Sequence, residues 1–266
     1  MNKFNVICIK WGTGYSASDV NKLYNQIKRN TRYNIDFYCF TNDPLDLDDK
    51  IIIKPLPQLD VEITSKMMGY LKEAGLCDDN LGGLKGQRVY FFDLDSLIVG
   101  NLDDFFEYPK GNGFYIINDW AHRHGKFKNK IGQASCYSFV VGTLGYVKKY
   151  FEQNSLSVWG KYSTASQEYL SAKVIEKYGN LNFWPDNWFK SFRFHCLPFS
   201  LFRHFIAPKF PKIESLKMIA FHGVTGIEEA LAGEWCFDKN DRKYPRGIKR
   251  IYKRVLPTKW IEKYWW

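Results

Sequence analysis

No apolar run in the 266-residue chain approaches the roughly 18 residues of an uninterrupted membrane-spanning helix, so no such helix is expected. The first apolar run, Val6 to Ile9, is too short for the core of a secretory signal, and the sequence is read as cytoplasmic. The six cysteines (Cys8, Cys39, Cys77, Cys136, Cys196 and Cys236) form no Cys-x-x-Cys pair, and the neighbouring His122 and His124 have no cysteine beside them. Neither a structural zinc site nor a disulfide framework is indicated, in keeping with a reducing compartment. Internal repeats, low-complexity tracts and Pro/Gly/Ser linkers are also missing. The economical division is therefore one domain over residues 1–238 and a tail over 239–266. Acidic charge is scarce in that tail: from Arg242 to Lys263 nine Lys or Arg face Glu262 alone, so this segment holds +8 of the chain's net +10.

What is abundant is aromatic surface, 18% of residues, a density that suits sugar handling, base stacking or a membrane interface as well as core filling. One aromatic run, Tyr90-Phe91-Phe92, leads straight into Asp93-Leu94-Asp95. Val89 to Phe92 reads as a strand covered on both faces, and two acids at its end need compensation, because a desolvated unpaired carboxylate costs several kcal/mol. Solvated turn acids are one account. A hard divalent cation, Mn²⁺ or Mg²⁺, shared with substrate phosphate oxygens is the other.

Upstream, Asn5 to Lys10 reads as a strand, Gly12 and Gly14 break it, and Ser18-Asp19 opens a helix whose apolar positions Val20, Leu23, Tyr24 and Ile27 follow helical spacing. Ile35 to Phe40 is the next strand, closing a β-α-β unit. Lys50–Lys54 is predicted as a strand, Lys66–Ala74 as a helix, Gly113–Ile117 and Tyr137–Val141 as strands, Ser166–Lys177 as a helix and Met218–Phe221 as a short strand. This alternation predicts an α/β fold, a Rossmann-like mixed sheet flanked by helices. In such a sheet ligands bind outside the carboxyl ends of the strands, so Lys10 to Tyr15 should open onto the crevice of Asp93 and Asp95. Tyr15 is placed to stack on a nucleobase or to fill the core. His222, between Phe221 and Gly223, is a candidate third metal ligand or a structural histidine.

With the nucleotide-side β-α-β unit, Phe91-Phe92-Asp93-Leu94-Asp95 followed by Asn101-Leu102-Asp103-Asp104-Phe105-Phe106, and the late Phe221-His222-Gly223, residues 5–230 resemble GT-A glycosyltransferases. The pattern is similar to the retaining, family 8-like bacterial enzymes that build lipopolysaccharide and related glycans. The resemblance implies a GT-A fold and transfer of a sugar from a nucleotide-sugar, a UDP-sugar, to a glycan or lipid-linked acceptor with retention. It implies that Asp93, Asp95 and His222 hold Mn²⁺ or Mg²⁺ against the donor diphosphate and that Tyr15 stacks on the base. Asn42 and Asp43 would read the base edge, with Lys10 beside them. Lys66 and Lys190 would support the diphosphate, and Gln167 would face the anomeric carbon with Asp119 and Glu168 as possible contributors. Ser166 stands where such enzymes carry the first acid of an Asp-Gln-Asp element, and Gln133-Ala134-Ser135 lacks the carboxylate often found before the next strand.

The tail is expected to form a basic amphipathic helix from Pro245, with Ile248, Ile251, Tyr252 and Val255 on one face and Arg246, Lys249, Arg250, Lys253 and Arg254 elsewhere, ending at Pro257. Trp260, Ile261, Tyr264, Trp265 and Trp266 follow, aromatics of the kind that settle at lipid headgroups. This predicts a peripheral protein at the inner face of the cytoplasmic membrane, bound to anionic lipid. Two other readings share some of these features: a haloacid-dehalogenase-like phosphatase using Asp93 as nucleophile, and a basic nucleic-acid-binding protein. The first is disfavoured because a β-α-β unit precedes the motif, and the second fits poorly with interior acids and terminal tryptophans, so no nucleic-acid partner is expected.

Overall fold

The computed structural model of the chain describes residues 3–121, 130–223, 225–235, 247 and 253–266. The chain begins with strand β1 (Lys3–Lys10), which pairs in parallel over its whole length with β2 (Asn34–Thr41), in register from Lys3 opposite Asn34 to Lys10 opposite Thr41. Helix α1 (Ala17–Arg29) connects them. Its start is fixed by a reciprocal cap in which the Asp19 amide donates to the Ser16 hydroxyl and the Ser16 amide donates to the Asp19 carboxylate at 2.8 Å. The helix buries Val20, Leu23, Tyr24 and Ile27, the positions its sequence spacing predicts.

Strand β3 (Ile52–Lys54) adds in parallel to β2. The helix predicted over Lys66–Ala74 is instead wound irregularly, as a 3-10 turn Ser65–Met67, the single α turn α2 (Tyr70–Glu73) and a second 3-10 turn Gly75–Cys77. Close approach explains the irregularity: a Cβ on Gly69 or Gly75 would lie 3.1 Å from Ser166 Oγ or Pro57 Cγ, so the backbone follows its neighbours rather than an ideal spiral. Strand β4 (Arg88–Phe92) then enters beside β1, and β5 (Ser96–Ile98) leaves the sheet after the acidic turn. Helix α3 (Asp103–Glu107), β6 (Tyr115–Asn118), β7 (Gly132–Val140), α4 (Gly145–Tyr162), α5 (Ser166–Tyr178) and β8 (Asn182–Phe183) complete the central layer. Strand β9 (Phe189–Ser191), a π-helical turn Phe192–Cys196, β10 (Met218–Ala220), α6 (Ile227–Ala232) and a 3-10 turn Lys259–Lys263 follow.

Among the described residues seven strands form one mixed sheet in the order β3-β2-β1-β4-β7-β6-β8, with β7 antiparallel to β4 and β6, and three form a smaller sheet, β5-β10-β9. The two-residue period of the central strands feeds two cores. Ile7, Ile9, Phe40, Val89, Phe91, Tyr137 and Phe139 point to the side covered by α2, α4 and α5, whereas Val6, Cys8, Phe37, Tyr90 and Phe92 point to α1 and α3. Both faces of β4 are therefore buried, which is why its sequence reads as an unbroken apolar run. A third core joins Leu97, Phe192, Ile219, Phe221 and Ile227 to Val255, Ile261 and Trp265. Among the described residues no helix is long and apolar enough to cross a membrane.

Most of the helix expected from Pro245 to Val255 lies outside the described residues, as do His122, His124 and Cys236. The terminal aromatics are described, and they differ from the expectation. Trp265 and Ile261 are buried, the Trp260 indole donates to the Pro208 carbonyl at 3.0 Å, and the Arg29 guanidinium lies 3.9 Å from the Trp266 ring while donating to the carbonyls of Tyr264 and Trp266. The small third core has room for these side chains, and α1 supplies the cation that holds the chain end down.

Candidate functional site

The two carboxylates occupy a turn tied to both sheets. The Asp93 amide still donates across to Ser135 of β7 at 2.9 Å, and the Asp95 carbonyl accepts from the Phe221 amide at 3.0 Å, one residue beyond β10. Lys72, from the α2 turn, donates to Asp93 Oδ2 at 2.7 Å and lies 3.4 Å from Glu73 Oε1. Burial on its own would favour the neutral amine, but the charges of Asp93 and Glu73 outweigh it and hold the Lys72 pKa well above the ordinary lysine value. Burial pushes the Glu73 carboxyl up, against the pull of Lys72 and a hydrogen bond with Ser166.

The ends of β1 and β2 meet beside this turn. Lys10, almost fully buried, donates to Asp43 Oδ2 at 2.7 Å and to the Asp43 carbonyl at 3.2 Å, and this hydrogen bond holds the Asp43 carboxyl below its usual range. Asn42 is exposed next to it. The Tyr15 hydroxyl donates to Asp95 Oδ2 at 3.3 Å, and burial together with the Asp95 charge raises the phenol pKa well above normal. On the opposite side, Gln167, in the first turn of α5, accepts from the Ala134 amide at 3.3 Å, one residue from the carbonyl that anchors Asp93. Glu168 is half-buried beside it, and Lys66 is exposed on its 3-10 turn. Lys190 donates to the Asp186 carbonyl at 2.8 Å.

His222 follows β10, where Gly223 with φ of +96° turns the chain. Its backbone is next to Asp95 through Phe221, but its Nε2 lies 2.7 Å from Ser191 Oγ, and its ring stacks on Trp120 at 5.5 Å. Burial lowers its pKa, opposed by the charge of the buried Asp119 and helped by Arg193, so the imidazole is neutral at pH 7. Two carboxylates and a neutral imidazole on adjoining strands are a donor set of the right chemistry for a hard or borderline divalent cation. In this arrangement each has a partner within the protein: Lys72 at Asp93, Tyr15 at Asp95 and Ser191 at His222. Among the described residues no three His, Cys, Asp or Glu side chains stand together to hold a metal ion.

The structure thus brings Lys10, Tyr15, Asn42, Asp43, Asp93, Asp95 and Gln167 to one end of the central sheet, and places His222, just past β10 of the small sheet, in an adjoining cluster with Asp119, just past β6 of the central one. Sequence reasoning missed Lys72 and Glu73, a charged pair inside the apolar stretch from Met67 to Cys77. Their adjacency within that apolar stretch is the one trace in the sequence; the contact with Asp93 appears only in the fold. Glu73 also meets the gap noted at Ser166: the serine hydroxyl faces a buried carboxylate contributed by α2 instead of carrying one itself.

No protein-family profile matches the sequence, and no curated protein matches it. Solved structures do. The bifunctional glycosyltransferase WbbM, in its apo form, superposes with a TM-score of 0.56 at 13% identity, over 84% of this chain and 46% of that one. An active-site mutant of LgtC gives 0.57 at 10% identity over 84% and 89% of the two chains. The galactosyltransferase LgtC in complex with donor and acceptor sugar analogues gives 0.50 at 11% identity over the same shares. The chain spans less than half the length of WbbM and most of that of LgtC. At these identities the likeness is one of fold, and the fold is the GT-A glycosyltransferase fold.

Proposed function

We propose that the protein is a glycosyltransferase that moves a sugar from a nucleotide-sugar, a UDP-sugar, to a glycan or lipid-linked acceptor, with retention at the anomeric carbon, at the inner face of the cytoplasmic membrane. The observation that carries the reading is Asp93 and Asp95 at the carboxyl end of β4 in a GT-A sheet, with Lys10, Tyr15 and Asp43 on the neighbouring strand ends. Tyr15 offers its ring to the base, and Asn42 and Asp43 offer polar edges at the end of β2. Lys72 carries a full positive charge beside the acidic turn, so it can move from Asp93 onto a diphosphate and stabilise the charge that grows on the leaving group. Gln167 sits across the turn from these groups, where the sugar would lie. The anomeric carbon–oxygen bond breaks with its electron pair going to the diphosphate, and the acceptor oxygen attacks the same face while its proton passes to the departing phosphate oxygen.

Asp93, Asp95 and His222 would hold Mn²⁺ or Mg²⁺ once Lys72, Tyr15 and Ser191 release them. When bound, such an ion supplies Lewis-acid stabilisation of the diphosphate. The test is a screen of nucleotide sugars for thermal stabilisation and hydrolysis with and without Mn²⁺, with Asp95→Ala as control. A rise in melting temperature with one UDP-sugar plus metal, absent in the variant, is the expected result. Silence toward every nucleotide sugar, together with turnover of a simple phosphate ester, would overturn it.

A further inference from the structure

Four large apolar side chains stand in water within seven residues. Between the π-helical turn and β10, Phe199, Leu201, Phe202 and Phe205 are 69, 63, 53 and 83% exposed. One exposed leucine is ordinary, but a cluster of this kind marks an interaction surface. The loop has its own scaffold: the Phe202 amide donates to Phe199, the Phe205 amide donates to Phe202, and the Arg203 guanidinium donates to the Pro198 carbonyl at 3.1 Å. Its neck is closed by the Lys209 amide on the Cys196 carbonyl at 2.9 Å, and it rests on the C-terminal segment through Trp260 and through Phe210 stacked on Tyr264 at 5.5 Å. The apolar tips therefore project from a braced base.

The charge along this segment has one sign. From Phe192 to Ile213 there is no Asp or Glu, whereas Arg193, Arg203, Lys209 and Lys212 are present with His195 and His204. Arg254, from the basic tail, lies 3.4 Å from the His204 ring. A second copy of the chain would bring like charge to like charge at this surface, which disfavours self-association. An anionic bilayer offers phosphates for the cations and an apolar interior for the aromatic tips. The turn that leads into the loop adjoins the site: Phe194 lies 5.8 Å from the His222 ring, and a cavity of 80 Å³ is lined in part by Phe192, Arg193, His222 and Lys253.

We propose that the loop 199–206 is a membrane-penetrating element that inserts Phe199, Leu201, Phe202 and Phe205 among the headgroups of an anionic bilayer, with Arg203, Lys209 and Lys212 against the phosphates. This rests on the membrane location proposed above and moves the apolar anchor from the terminal aromatics, largely committed to the protein core, to the loop that follows the π-helical turn beside His222. The test is co-sedimentation of the full chain with phosphatidylglycerol/phosphatidylcholine vesicles and with phosphatidylcholine alone, without donor sugar, so that binding is read independently of activity. Joint replacement of Phe199, Leu201, Phe202 and Phe205 by Ser is expected to weaken partitioning on the order of 100-fold or more, since each side chain loses an apolar transfer. Joint replacement of Arg203, Lys209 and Lys212 by Gln should cost roughly fivefold per residue and flatten the salt dependence. A dye sensitive to polarity on Phe205→Cys, in a Cys236→Ser background, should shift to the blue with anionic vesicles, which serves even if the multiple variant folds poorly. Equal vesicle binding by wild type and the serine variant, or an unshifted dye on bound protein, overturns the loop's role and leaves the membrane location standing. Wild-type protein that ignores anionic vesicles overturns both. A concentration-dependent dimer abolished by the serine variant, without vesicle binding, assigns the surface to a second copy instead.

Discussion

Replacing Lys72 by Met removes the cation that touches both Asp93 and Glu73, at 2.7 and 3.4 Å, while keeping most of the side chain's volume. Removing one partner of a buried ion pair costs roughly 3–5 kcal/mol because the other charge is left uncompensated. Asp93 keeps 19% of its side-chain exposure and is partly screened, whereas Glu73 keeps 2%, so the penalty falls mainly on Glu73. A loss near the low end, about 3 kcal/mol at neutral pH, is expected. With a urea dependence of about 2–3 kcal/mol per M, the unfolding midpoint falls by roughly 1 M.

The pH dependence gives the sharper readout. The native Glu73 pKa is raised above the ordinary carboxyl value of 4.5, so over the interval between the two the native state holds the extra proton and stability falls as pH rises. Without Lys72 that native value rises further and the interval widens upward. The deficit of Lys72→Met should therefore be smallest near pH 4.5 and grow toward neutrality, and urea titrations of both proteins across this range measure it. Freed of the ammonium, Asp93 also becomes available to a cation: Mn²⁺ at 100 times its Kd would restore about 2.7 kcal/mol. Equal midpoints at neutral pH, or a deficit as large at acid pH as at neutral, would refute the account of this cluster.

Three further outcomes follow from the geometry. Phe91→Ala empties a fully buried position stacked on Tyr137 at 4.6 Å and should cost about 3–5 kcal/mol in chemical denaturation, with loss of near-UV ellipticity if the sheet loosens. Tyr15→Phe removes the hydrogen bond to Asp95 and should cost about 0.5–1.5 kcal/mol while leaving nucleotide affinity close to wild type, because the ring is retained; a large loss of affinity would instead give the hydroxyl the binding role. His222 is held neutral, so below its unfolded value of 6.5 the unfolded chain takes up a proton that the native state resists, and stability falls with falling pH. His222→Gln should flatten that part of the stability profile, and an unchanged slope below pH 6.5 would exclude the imidazole as its source.

The parts of the fold that were legible are those written in local periodicity. The β1-α1-β2 unit, β4 and α5 follow from apolar spacing and from caps such as Ser16 with Asp19. Strand β7 begins five residues before the predicted Tyr137, because Gly132, Gln133, Ala134 and Ser135 are small or polar and are buried by pairing with β6 and β4 rather than by apolar character. Helix α4 was not predicted: it is broken at Asn154, with φ of −135°, and its buried Val147, Phe151 and Val158 make too thin a stripe to announce it. The small sheet is built from three-residue strands, and its β5 pairs with β10 some 120 residues further on, Ile98 opposite Met218, which local pattern does not reveal. At the site, Asp93 and Asp95 were legible because acids at the end of a buried strand demand a partner. Lys72 was not, since a lysine in a short helical turn resembles a solvent-facing residue until the strand it touches is in place.

Asp93 is anchored by its amide to the seven-stranded sheet and Asp95 by its carbonyl to the strands of the three-stranded one. The pair thus acts as a gauge of how the two sheets are seated. Because the smaller sheet has few hydrogen bonds of its own, it should open first under mild denaturant. Activity is then expected to vanish while most of the far-UV signal remains, so the working lifetime of the protein is set by its least durable layer and not by its global stability.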